Sequence, residues 1–174
     1  PQGVEMLGMW IIHAYVLRFI TGLAFDGALG AHFIAIRVES LSFLPGFAIG
    51  TATATLVGQY LGANNPKMAL KALRTAWLFA LSFMSTIGIF FLLAPEIIVR
   101  LILPETDTQA TQLIAVAGPL VFICGIFQPA LATTIVLKTC LRGAGATRIV
   151  MTCSFTCLIL IRIIGITVYD AYFD

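Results

Sequence analysis

Charge is what this sequence has least of. Ten Lys and Arg and eight Asp and Glu make up 10% of its 174 residues and leave a net charge of +2, where a soluble domain carries about 25% charged residues. The basic residues stand singly rather than in a patch, so no electrostatic footprint for nucleic acid is present. Cysteine is sparse: Cys124, Cys140, Cys153 and Cys157, none in a C-x-x-C pair. Cys153 and Cys157 share a helix face but have no histidine or carboxylate beside them. They read as inert thiols, and neither a metal site nor a disulfide framework is implied. The G-x-S-x-G, H-E-x-x-H, P-loop and dinucleotide-binding glycine patterns are missing. The expectation is a protein that is not an enzyme, has no organic cofactor or metal, and lacks the nucleotide site of an ATP-driven pump. A charged n-region and cleavage site are also missing, so no signal peptide is read. With Pro1 rather than methionine at its start, the chain reads as a piece of a larger protein.

What is abundant is apolar surface. The chain is 60% hydrophobic with a mean hydropathy of +1.02, more than a globular core needs. The predicted class is all-α: a polytopic transmembrane helix bundle with spans over 6–24, 32–61, 75–93, 109–137 and 149–168. His13 and Arg18 lie inside the first span and Arg162 inside the fifth. Each is a candidate for a pathway or for pairing and snorkelling.

The organising stretch runs from Arg37 to Pro66. Small residues recur every fourth place: Gly46, Gly50, Ala54, Gly58 and Gly62. Such a stripe lets a second helix backbone approach closely in lipid. Thr51, Thr53, Thr55 and Gln59 lie between, and their polar groups are expected to need another helix or a wet cavity. Pro45-Gly46 predicts a bend, because proline removes a backbone donor. Gly62 to Pro66 reads as a C-cap followed by a proline stop. Lys67, Lys71 and Arg74 then share one helix face.

Basic and acidic connections alternate. Lys67, Lys71 and Arg74 follow span two, and Lys138, Arg142 and Arg148 follow span four. Asp26 lies between spans one and two, and Glu105 and Asp107 between three and four. The positive-inside rule then predicts a cytoplasmic Pro1 and an extracytoplasmic Asp174.

Two pieces of the organising stretch, AH-x-IA-x-x-x-ESLSF-x-PGF and VGQ-x-LGA-x-NP, resemble the seventh-to-eighth-helix region of bacterial MATE (multidrug and toxic compound extrusion) transporters. CLRGAGATR resembles the family's LRGAGDTR turn, with Ala146 where aspartate is usual. The resemblance implies a twelve-helix protein of two six-helix lobes in the bacterial inner membrane, of which helices seven to eleven are present here. Its partners would be small amphipathic substrates, the lipid bilayer, the other lobe and the twelfth helix. It would export cationic drugs in exchange for Na⁺ or H⁺ by alternating access. One branch binds the coupling cation through carboxylates on helices seven and ten. Here the corresponding positions are Met9, Trp10 and Ile11, and Ala130 and Leu131. That resembles the branch named for DNA-damage-inducible protein F and places the coupling site in the other lobe.

Within this lobe the candidates for substrate-cavity lining are Thr55, Gln59, Gln128, Phe43 and Phe127. For Gln59 a hydrogen bond between helices is the competing role, and for the phenylalanines packing or lipid contact is. Pro45, Gly46 and Pro129 are the bending points. Arg142, Gly143 and Gly145 shape a cytoplasmic turn. The competing functions are a lipid or oligosaccharide flippase of related architecture, and a membrane scaffold without transport.

Overall fold

The computed structural model describes residues 2–22, 27–103 and 108–157. They form helices and turns, with no strand among the described residues. The order is α1 (Gln2–Gly22), α2 (Ala28–Gly62), α3 (Pro66–Leu93), α4 (Pro95–Ile102), α5 (Thr108–Gly143) and α6 (Thr147–Cys157). The expected loops at 25–26 and 104–107, the second half of the fifth span with Arg162, and the end 169–174 lie outside the described residues.

The chain divides into two compact units, 1–24 with 145–174, and 25–144. In the first, α1 packs on α6. Gly8 is the contact point, and a Cβ there would run into the Phe155 ring. Glu5, Ile12, Val150 and Ser154 are the buried side chains of this pair.

The second unit holds α2, α3, α4 and α5. Three of its segments, Ala28–Gly62, Pro66–Leu93 and Leu113–Gly143, are long and apolar enough to cross a membrane. At ~1.5 Å per residue each exceeds a ~30 Å hydrocarbon core. α5 packs along both α2 and α3, and α2 and α3 also touch. The core is a column of small and branched side chains. Ala31, Ile34, Val38, Phe91, Val99, Ala117 and Val121 cluster at one end. Met84, Ala132 and Ile135 form a second group. Val57, Ala69, Ala80, Val136 and Cys140 form a third, toward the α2–α3 turn.

That turn shows why two long helices meet there so abruptly. Asn64 takes the left-handed conformation at φ 54°. Asn65 N–H donates to Tyr60 O and Asn64 N–H to Leu61 O, which is the Schellman pattern that satisfies the last carbonyls. Asn65 also caps the next helix, its Oδ1 accepting from Met68 N–H at 3.2 Å. Pro66 follows at the first helical position, where its missing N–H costs nothing. The proline therefore opens α3 as well as stopping α2.

Other boundaries differ from the sequence expectation. α2 begins at Ala28, not His32, on a left-handed Gly27 at φ 99°. α5 runs to Gly143 rather than stopping at Leu137. The segment after Pro95 is a separate helix, α4, which buries Val99 and rests Ile98 and Ile102 on the core. Its sequence signs were Pro95 at the first position, Glu96 in the first turn and Arg100 in the last, each matched to the helix dipole.

The threonines also correct an expectation. They do not wait for another helix or for water. Thr51 donates to Ala48 O, Thr53 to Ile49 O and Thr55 to Thr51 O. Thr139 does the same with Ile135 O, and Ser42 with Glu39 O. A hydroxyl turned back onto its own helix is satisfied locally, so these residues sit in an apolar setting at little cost.

Candidate functional site

α2 carries the most differentiated surface. Its small-residue ridge is the side laid against α5. A Cβ on Gly46 would lie 2.5 Å from Met84 Sδ and 3.6 Å from Ile135 Cδ1. One on Gly50 would lie 2.6 Å from Thr139 Oγ1. Further along, Gly143 abuts the Ala54 carbonyl, and a Cβ on Gly58 would lie 3.2 Å from Gly143 O. The two backbones therefore touch where side chains would hold them apart. The ridge ends at Gly58, since nothing approaches Gly62.

The next ridge on α2 is Phe43, Phe47, Thr51, Thr55 and Gln59, spaced four apart and exposed throughout. Phe43 and Phe47 stack with ring centroids 5.9 Å apart and planes at 16°. Three of the predicted cavity residues, Phe43, Thr55 and Gln59, thus share one strip, aromatic at one end and polar at the other. Phe47 and Thr51 belong to the same strip, and the i, i+4 spacing was the signal for them. Beyond it lies a third ridge, Leu44, Ala48, Ala52 and Leu56, exposed and wholly apolar. The open surface of α2 is therefore divided lengthwise into a mixed and an oily strip.

Gln128 stands elsewhere. It is fully buried, and among the described residues neither Oε1 nor Nε2 has a hydrogen-bond partner. Its Cβ and Cγ pack on Gly88 of α3. Gly88 also meets Gly125 O, and Pro129 has no N–H to give that carbonyl. One turn further on, Trp77 Nε1 donates to Thr133 Oγ1 at 3.1 Å, and Thr133 donates to Pro129 O at 2.9 Å. A buried amide between two close backbones, beside a proline and about one turn from the Trp77–Thr133 hydrogen bond, is a polar island in an apolar interface. Trp77 and Gly88 carry no signal in the sequence, because their roles depend on which helices meet.

The remaining predicted residues are scattered. Phe127 is 62% exposed on α5. Pro45 lies within a continuous α2, and Pro129 within a continuous α5. Arg142 and Gly143 form the last turn of α5, and Gly145 follows at φ +84°. His13 and Arg18 lie on α1, partly buried and exposed respectively. Among the described residues no group of three His, Cys, Asp or Glu is placed to hold a metal ion.

Between α2 and α3 runs a groove of about 520 Å³, floored by Ala52, Ala72 and Ala76 and walled by Leu56 and Phe79, with Lys71 at one end.

The MatE family model matches residues 1–168. The "Probable multidrug resistance protein NorM" of Thermotoga maritima is 37% identical over 149 residues, 84% of this chain and 30% of that protein. The "Multidrug resistance protein NorM" of Burkholderia vietnamiensis is 37% identical over 124 residues, 71% of this chain and 27% of its own length. The "Probable multidrug resistance protein NorM" of Burkholderia mallei is 35% identical over 130 residues, 75% of this chain and 28% of its length. The chain spans under a third of each of these curated relatives. Helices that cross a membrane, the glycine-packed α2–α5 pair and a match along nearly the whole chain agree: this protein belongs to the MatE family.

Proposed function

We propose that this chain is part of a secondary active antiporter that exports amphipathic, mostly cationic compounds in exchange for Na⁺ or H⁺ by alternating access. Membership of the MatE family and the relatives' printed names support the transport class. The observation that carries the reading is the exposed Phe43–Gln59 strip on α2. A strip that bears the Gln59 amide and opens away from the core suits a wet cavity, and its stacked phenylalanines suit the flat apolar part of a drug. Lipid alone would not call for Gln59 there.

In this reading the second lobe supplies the cavity wall, and the coupling ion binds in the other lobe. The basic turns lie in the cytoplasm of a bacterium and the acidic ones outside its inner membrane. The test is efflux of a fluorescent cation from cells carrying the full-length gene. Loss of efflux on collapse of the Na⁺ or proton gradient supports the antiporter. Gradient-independent accumulation sinks it, and lipid scrambling without drug efflux favours the flippase.

The bend is tested separately. Pro45→Ala restores a backbone donor inside α2 and is expected to abolish efflux while leaving membrane insertion normal. Unchanged efflux removes Pro45 from the mechanism.

A further inference from the structure

We propose that the groove between α2 and α3 is a seat for an anionic phospholipid, with one acyl chain along the groove and the phosphate at Lys71. Its length is the first reason. The lining runs from Ile49 to Tyr60 on α2 and from Phe79 back to Met68 on α3. Eleven helical steps cover about 16 Å, which matches one leaflet, about half of a ~30 Å hydrocarbon core. The groove therefore has the depth of a single lipid chain and not of a whole bilayer.

Its chemistry changes along that depth as a lipid's does. The deep end is apolar, with Ile49, Ala52, Ala76 and Phe79, and Thr53 just above it has its hydroxyl bonded to Ile49 O. The shallow part, next to the α2–α3 turn, carries Tyr60, Met68 and Lys71, an interfacial aromatic, a flexible apolar side chain and a cation. Lys67 and Arg74 stand one turn to either side of Lys71, and all three are exposed. No acidic side chain lines the groove, so the charge at its mouth is complementary to a phosphate. A cationic mouth on an apolar cleft between spans is the pattern that recruits anionic headgroups.

The floor explains why the space exists. Ala52, Ala72 and Ala76 have no side chain beyond Cβ, so α2 and α3 leave a trough where larger residues would close it. The apolar ridge of α2, Leu44 to Leu56, continues the same oily surface. The polar strip lies on the other side of that ridge, so lipid and substrate would meet different faces of one helix.

The experiment uses the full-length transporter, purified and exposed to phosphatidylglycerol or phosphatidylcholine of identical chains, with bound lipid counted by native mass spectrometry. Phosphatidylglycerol is expected to be retained in preference to phosphatidylcholine. Lys71→Gln should lower that retention about fivefold, the effect of one basic residue beside an anionic headgroup, and Lys71→Arg should keep it. Ala76→Phe fills the trough and should displace the lipid with Lys71 intact. Equal retention of the two lipids overturns the proposal. So does retention that survives either Lys71→Gln or Ala76→Phe, or another segment of the transporter occupying the groove. Drug efflux is read in parallel, so that an inactive transporter with normal lipid retention fails the antiporter reading and not this one.

Discussion

At the scale of single residues, the described spans hold polar groups satisfied on their own helix and a buried amide that is not. Threonines and serines in the spans turn their hydroxyls onto their own helix, as Thr53 does to Ile49 O at 2.6 Å. Gln128 has no such partner and is fully buried. An unsatisfied buried amide costs about 1–3 kcal/mol. Gln128→Leu is therefore expected to raise the thermal stability of the purified transporter. If the amide finds its partner only in another conformation of the cycle, the same substitution lowers efflux. A stability loss in the melting curve would refute the first expectation. Trp77→Phe removes the hydrogen bond to Thr133 and should cost about 1 kcal/mol, visible as a lower melting temperature. Gln128 was legible as a candidate because polar residues in spans are few. Its burial was not, since it depends on Gly88 facing it from another helix.

At the scale of elements, the small-residue ridge of α2 makes a graded prediction. Gly50→Val puts side-chain atoms where Thr139 and Ile135 already stand, and overpacking of this kind costs roughly 1–3 kcal/mol. Gly62→Ala meets nothing and should leave stability unchanged. Equal melting temperatures for the two variants would remove the ridge from the α2–α5 contact. The period of four was readable, and so was the turn GANNP. The partner helix was not, because glycine spacing says that something approaches without saying what. α4 was missed for a related reason: eight residues are too few for a periodic signal, and Val99 is buried only because α5 is there to receive it.

At the scale of the whole molecule, the alternation of basic and acidic turns predicts sidedness. In a cysteine-free background, Lys67→Cys should react with an impermeant maleimide only after cells are opened. Asp26→Cys, between the first two spans, should react in intact cells. The reverse pattern would invert the topology and place the phospholipid seat in the outer leaflet.

The class, the α2–α3 turn and the family motifs are all legible before any fold is known, because they depend on composition and on neighbours a few residues apart. Lipid leaves a backbone no option but helix where strands cannot close, so helicity follows from apolarity alone. The tertiary structure decided which face of α2 is packed, which is oily and which is mixed. It also decided that Gln128 is enclosed while Phe127 is open. Both lie on one helix one residue apart, a rotation of about 100°. Only the positions of α2 and α3 around α5 determine which of the two is covered.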